Sequence, residues 1–212
     1  MSLIDVSITQ FIEEVDSSSP APGGGSVSAF AGVIGIALAR MVGHLTIPKK
    51  SFLKLDEVDQ EQFQKVHNRL FELKELLLPL IEKDTIAFNQ IMAAYKLPKE
   101  TAIEQQNRSK QIELATFHAI EIPMQVATFS LEALVLLDVL ERFGNKNCLS
   151  DIGVSALQLN SACQGALLNV KINASSLQDD AAKEQFIIIA DNLFQKAHTY
   201  STKLVRKIYQ RL

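Results

Sequence analysis

Apolar residues recur at helical spacing along almost the whole chain. Ile4, Ile8, Phe11, Ile12 and Val15 share one stripe and predict a short amphipathic helix over 4–16, which Ser17-Ser18-Ser19-Pro20 breaks. Residues 26–45 are almost continuously apolar and predict a helix of their own. From about Asp56 a polar helix carries Val58, Phe63, Val66, Leu70, Leu73 and Leu77 on one side, and Pro79 interrupts it by removing a helical hydrogen bond. The pattern resumes through Ile81, Asp84, Phe88 and Ile91 and stops at Leu97-Pro98. Thr101 with Glu104 is a capping signature for a long helix over 102–142, in which Pro123 predicts a kink. Arg142-Phe143-Gly144-Asn145 supplies a stop. Ser150-Asp151 predicts the cap of a helix running to about Leu177. Asp179-Asp180 open the last helix, 181–210, whose Lys203, Arg206, Lys207 and Arg211 complement the C-terminal dipole. No alternating β-branched run is present, and FIIIA at 186–190 lies within a helical period. The predicted fold class is therefore all-α: one single-domain bundle, residues 1–212, of six or seven helices around a central small-residue-rich helix.

The central helix is the most distinctive segment. Pro20-Ala21-Pro22-Gly23-Gly24-Gly25-Ser26 reads as a backbone turn with Ser26 as the predicted N-cap, and as a turn able to meet an anion. Beyond it Ala31, Gly35, Ala39 and Gly43 fall four apart, so one side admits close approach of another backbone. Glycine inside a helix costs about 1 kcal/mol in propensity, which close packing must offset. The stretch is long enough to span a bilayer. However, Arg40 and His44 lie inside it, the preceding segment is acidic, and no second span is expected to follow. A buried core helix is the reading, with no membrane partner.

Composition narrows the class only modestly. The 212 residues are 47% hydrophobic with no Trp, in keeping with a helix-rich globular domain. The formal charge of −3, from 21 Lys+Arg against 24 Asp+Glu, gives no global basic field and argues against nucleic acid as partner. Cys148 and Cys163 have no CxxC spacing, and the expectation is two reduced thiols in a cytoplasmic protein.

Chemistry is sought where the pattern breaks. Asp84 occupies the apolar stripe of its helix, between Leu80 and Phe88, so its charge must be paired, hydrogen-bonded, neutralised or functional. One structural reading is a carboxylate that caps a neighbouring helix N-terminus. Asn169 and Asn173 lie four apart in an otherwise apolar helix, in line with Ser161 and Gly165. They suit either a flat heteroaromatic bound through amides or a hydrogen-bonded helix seam. Lys49 and Lys50 suit an anionic substrate or a solvated loop. His67, His118 and His198 have no partner at ligand spacing, so no metal is expected; GGGS is neither a Walker A nor a GxGxxG sequence.

Taken in order, these segments resemble a known family. Pro22-Gly23-Gly24-Gly25-Ser26 is followed by Thr46 with Lys49-Lys50, Asp84-Thr85-Ile86-Ala87-Phe88, and Ala119 with Pro123. Gly144-Asn145 with Ser150-Asp151 and then Asn169-Val170-Lys171-Ile172-Asn173 complete the set. The chain resembles, over roughly residues 5–210, the formiminotetrahydrofolate cyclodeaminase / methenyltetrahydrofolate cyclohydrolase family. The resemblance implies an all-helical homodimer that binds reduced, polyglutamylated folate near the subunit interface, with no cofactor beyond the tetrahydrofolate substrate. No formiminotransferase domain is attached, so a separate formiminotransferase is an implied partner. The resemblance makes Asp84 catalytic. It makes Gly23, Gly24, Gly25 and Ser26 a substrate-contacting turn, Asn169, Asn173 and Asp151 orienting groups, and Lys49 and Lys50 receivers of the glutamate carboxylates. Cyclodeaminase is the expected activity, with cyclohydrolase and a non-catalytic helical interaction module as alternatives.

Overall fold

A computed structural model describes residues 2–212. Among the described residues there are seven α-helices: α1 (Ile8–Val15), α2 (Gly24–Thr46), α3 (Glu57–Leu77), α4 (Leu80–Tyr95), α5 (Ala102–Phe143), α6 (Leu149–Ala174) and α7 (Asp180–Tyr209), with single 3₁₀ turns at Phe52–Lys54 and Lys146–Cys148. The expected all-α architecture is observed. Local chemistry sets several boundaries. Ser7 with Gln10 and Thr101 with Glu104 form reciprocal capping boxes, and Asp179 Oδ1 accepts the Ala181 and Ala182 N–H groups. Pro79 separates α3 from α4 as predicted. Ser150 and Asp151, expected as the cap of α6, lie inside its first turn instead, because the Lys146–Cys148 turn runs directly into the helix.

Helices α2 and α6 form the antiparallel centre, with Gly24 beside Asn169 at one end and the Ser155 hydroxyl donating to the Gly35 carbonyl (2.7 Å) further along. The glycines there serve proximity. A Cβ on Gly32 would meet Ser130, Leu77 and Ala162, and one on Gly35 would meet Leu159. Ala31 is only half-buried, whereas Gly25, Gly32, Gly35, Ala39 and Gly43 are buried, so the small-residue stripe is shifted from the expected one. At the far end the Thr46 hydroxyl accepts the Asn145 N–H (2.9 Å), which ties the end of α2 to the α5–α6 corner. The buried Glu141 carboxylate, 2% exposed, receives Lys207 from the last turn of α7 and Arg211 from just beyond it, and holds that helix down.

Two expectations are corrected. Within α1 only Phe11 is buried, while Ile8, Ile12 and Val15 of the same predicted stripe are exposed. Part of α5 is also long and apolar enough to cross a membrane, so α2 is not alone in this. About half of each apolar window is buried inside the bundle, which accounts for their composition as core helices.

Candidate active site

The glycine run builds the mouth of a cavity of about 260 Å³ between α2, α4, α5 and α6. Helix α2 starts at Gly24, two residues before the predicted cap. Gly23 is its N-cap, in extended conformation and with no side chain to offer. Ser26 therefore sits in the first turn and is fully buried. Its hydroxyl donates to Asp84 Oδ2 (3.2 Å) and shares a hydrogen bond with the Thr85 hydroxyl (3.2 Å), and its backbone N–H also bonds Asp84. One orphan donor of this helix end, the Ser26 N–H, is met by a carboxylate from α4.

Asp84 thus has the capping role read from sequence, and its place at the cavity is compatible with the other. It caps a neighbouring helix, and it lines the cavity. Burial pushes its carboxyl above the usual range, and the Ser26 hydrogen bonds oppose that rise. Gly25 packs directly against it, since a Cβ there would fall on the carboxyl group. This backbone conformation needs no glycine for its φ; the need is for space.

Two amides face Asp84 from α6. Asn169 Nδ2 donates to the Gly165 carbonyl (2.9 Å), and Asn173 Nδ2 donates to the Ala119 carbonyl (2.8 Å). The second bond has a cause in sequence. Pro123 has no N–H, so the Ala119 carbonyl one turn earlier lacks its helical partner, and α5 continues through the proline with Asn173 supplying the donor. With both amide nitrogens engaged, each Oδ1 is an acceptor available to a ligand N–H. Phe88, Ile91, Ala119 and Ile172 complete the walls with apolar surface suited to a ring face. Phe88 and Ile91 were legible as the continuation of the Asp84 stripe, whereas Thr85 became legible only as the neighbour of Ser26.

The structure therefore brings Gly23, Gly24, Gly25, Asp84, Asn169 and Asn173 to one cavity, with Ser26 directly behind Asp84. Lys49, Lys50 and Asp151 are not part of it. The two lysines are exposed in the loop beyond the end of α2, and Asp151 is in the first turn of α6, beside the same end. Helix α2 separates that end from Gly24 by about 33 Å at 1.5 Å per residue. Among the described residues no group of three or more His, Cys, Asp or Glu side chains converges to hold a metal ion.

Within an all-helical domain, one inward carboxylate, two amide oxygens and an apolar wall give this cavity groups that can exchange a proton, accept N–H bonds and meet a ring face. Comparison with known proteins gives this class a family. The profile described as formiminotransferase-cyclodeaminase matches residues 7–188, and the chain belongs to that family. It is 33% identical over 210 residues to formimidoyltransferase-cyclodeaminase of Rattus norvegicus, covering 99% of this chain but only 38% of that relative's length. It is also 33% identical over 201 residues to methenyltetrahydrofolate cyclohydrolase of Methylorubrum extorquens, with 95% of each chain covered. The crystal structure of formiminotetrahydrofolate cyclodeaminase from Thermotoga maritima superposes with a TM-score of 0.80 at 25% identity, over 97% of this chain and 98% of that one.

Proposed function

We propose that this chain is a folate one-carbon enzyme that converts 5-formiminotetrahydrofolate to 5,10-methenyltetrahydrofolate with release of ammonia. The observation that carries the reading is the Asp84 carboxyl, half-buried on the cavity floor and held by Ser26. The formimino group enters protonated, as an amidinium; N10 of the folate attacks its carbon on N5 and forms a tetrahedral centre that carries an amino group. Asp84 takes the proton from N10 and passes it to the departing nitrogen, which leaves as ammonia as the C–N bond breaks. The methenyl cation that remains lies against the carboxylate. Attack is intramolecular, so proximity is largely built into the substrate, and the protein's part is proton transfer and orientation. A positioned acid/base contributes about 10²–10⁴-fold, or roughly 3–5 kcal/mol. The Asn169 and Asn173 amide oxygens suit the N–H edge of the pterin, and no further cofactor enters these steps.

A second reading has its own support in the Methylorubrum extorquens relative of nearly equal length. As a cyclohydrolase the same Asp84 would activate water against the methenyl carbon. Separate incubation with 5-formimino- and 5,10-methenyltetrahydrofolate, following ammonia release and methenyl absorbance, distinguishes the two. Asp84→Asn is expected to lower either turnover at least about 100-fold while leaving folate binding largely intact. Near-native turnover in that variant would refute the role of Asp84.

The reading includes a homodimer, with a separate formiminotransferase supplying the substrate. Helices α2 and α6 pack on one another and both carry exposed apolar side chains. Ile34, Met41 and Leu45 of α2 and Val154, Leu157 and Leu168 of α6 are all between 38% and 63% exposed. Exposed apolar side chains on two packed helices suit a second copy of the chain across a two-fold axis. Light scattering on the purified chain should give twice the chain mass, and a strictly monomeric mass at micromolar concentration would refute the dimer.

A further inference from the structure

The cavity at Asp84 is smaller than the ~300 Å³ at which pockets for drug-sized ligands begin, and a folate that carries glutamates must extend beyond it. A second cavity, of about 360 Å³, lies further along α4 and α5, where the segment that follows α6 closes it. Tyr95 on its wall is one turn past Ile91 on α4, Ser176 lies just past Asn173 at the end of α6, and Ile112 is two turns before Ala119 on α5. From Asp84 to Tyr95 the axis of α4 advances about 16 Å. That distance exceeds the reach of the p-aminobenzoyl ring with the first glutamate, so the glutamates added beyond the first are the ones that arrive here.

The chemistry changes along this path. The Asp84 end has a carboxylate, amides and apolar walls; the far end has cations. Arg108 Nε and Nη2 donate to the Tyr95 carbonyl (3.3 and 3.1 Å), and its guanidinium lies 5.5 Å from the centre of the Tyr95 ring. The arginine is thereby fixed in place and, among the described residues, forms no ion pair with a carboxylate. Lys99 borders the same cavity and, among the described residues, forms no ion pair. Glu113 is the one acidic side chain on the wall, against these two cations.

We propose that this second cavity is the subsite for the glutamyl tail of the folate, whose carboxylates meet Arg108 and Lys99. The inference rests on the folate reading of the Asp84 cavity. It gives Arg108 and Lys99 the role expected of Lys49 and Lys50, which stand at the distant end of α2. It also gives the reaction a polarity: the ring with its reacting nitrogens enters at the glycine turn, and the tail runs out along the groove between α4 and α5.

The test is steady-state kinetics of the full chain on the mono- and triglutamate forms of the substrate it turns over. In the native chain KM is expected to fall as glutamates are added. Lys99→Ala with Arg108→Ala should raise KM for the triglutamate about tenfold, while kcat and the monoglutamate KM change less than about threefold. Lys49→Ala with Lys50→Ala should leave that dependence intact. Because Arg108 also ties α5 to α4, Lys99→Glu serves as a second variant that spares this bond, with the same selective rise in triglutamate KM. An unchanged triglutamate KM, an equal rise for both substrates, or a dependence that is lost with Lys49 and Lys50 instead would overturn the tail subsite alone. Failure of the native chain to turn over or bind any reduced folate would overturn the underlying reading, and the subsite with it.

Discussion

Gly25 offers a sharp test of the claim that Asp84 is aimed by the first turn of α2. Its backbone is helical, so on propensity alone Gly25→Ala should stabilise the protein by up to about 1 kcal/mol. The new methyl group, however, falls on the Asp84 carboxyl. The carboxyl must then swing away, giving up its bonds from Ser26, worth about 1.5–3 kcal/mol for a charged acceptor, and leaving its preferred rotamer at about 1 kcal/mol. The expected net result is a loss of about 1.5–3 kcal/mol with turnover reduced at least about 100-fold. In an Asp84→Ala background nothing obstructs the methyl group. The same substitution should then stabilise by about 0.5–1 kcal/mol, a reversal of sign and a coupling near 3 kcal/mol. Urea unfolding of the four chains in the cycle, together with ammonia release, measures both quantities. Equal destabilisation in the two backgrounds, or a Gly25→Ala enzyme within threefold of native, would refute the reasoning.

Other expectations follow from the same geometry. Burial raises the Asp84 pKa in the folded state, so between its unfolded and folded values the native protein holds more protons. This contribution to stability is complete at low pH and is lost as pH rises through the folded value. Asp84→Asn should abolish it, as paired unfolding curves across the acid range would reveal. If the ionised carboxylate is the base, the acid limb of kcat/KM should lie above the usual carboxylate range, and a limb within that range would contradict the assignment. Removing both cations with Lys207→Ala and Arg211→Ala leaves Glu141 buried and unpaired. The expected loss is about 3 kcal/mol, with hydrogen exchange accelerated first in the last turns of α7, and an unchanged midpoint would assign the pair no weight.

Much of this architecture could be read from periodicity and capping residues. The Thr101–Glu104 box, the Pro79 interruption and the Asp179 cap are local signals, and each boundary they predict is observed. The start of α2 could not be read in this way, because three glycines carry no side-chain signal and the missing cap comes from Asp84, in another helix. Lys49, Lys50 and Asp151 were grouped with the site by family resemblance. The length of α2 separates them from it, and linear order does not encode that distance. Asn173 was recognisable as a break in an apolar helix, but its partner, the Ala119 carbonyl, is 54 residues away and is exposed only because position 123 is proline. Composition also suggested a buried stripe on α1 that the fold leaves largely open to solvent, since apolar spacing states which residues share a face but not what covers it.

The proline in α5 has an evolutionary corollary. A helix-favouring residue at position 123 would complete the interrupted ladder and strengthen the longest helix of the bundle. The same change would give the Ala119 carbonyl a backbone partner and loosen the hold on Asn173 at the cavity wall. Selection for heat resistance and selection for turnover therefore pull in opposite directions at this one position. A laboratory screen that rewards thermal tolerance alone is expected to discard the proline and drift toward robust, sluggish proteins.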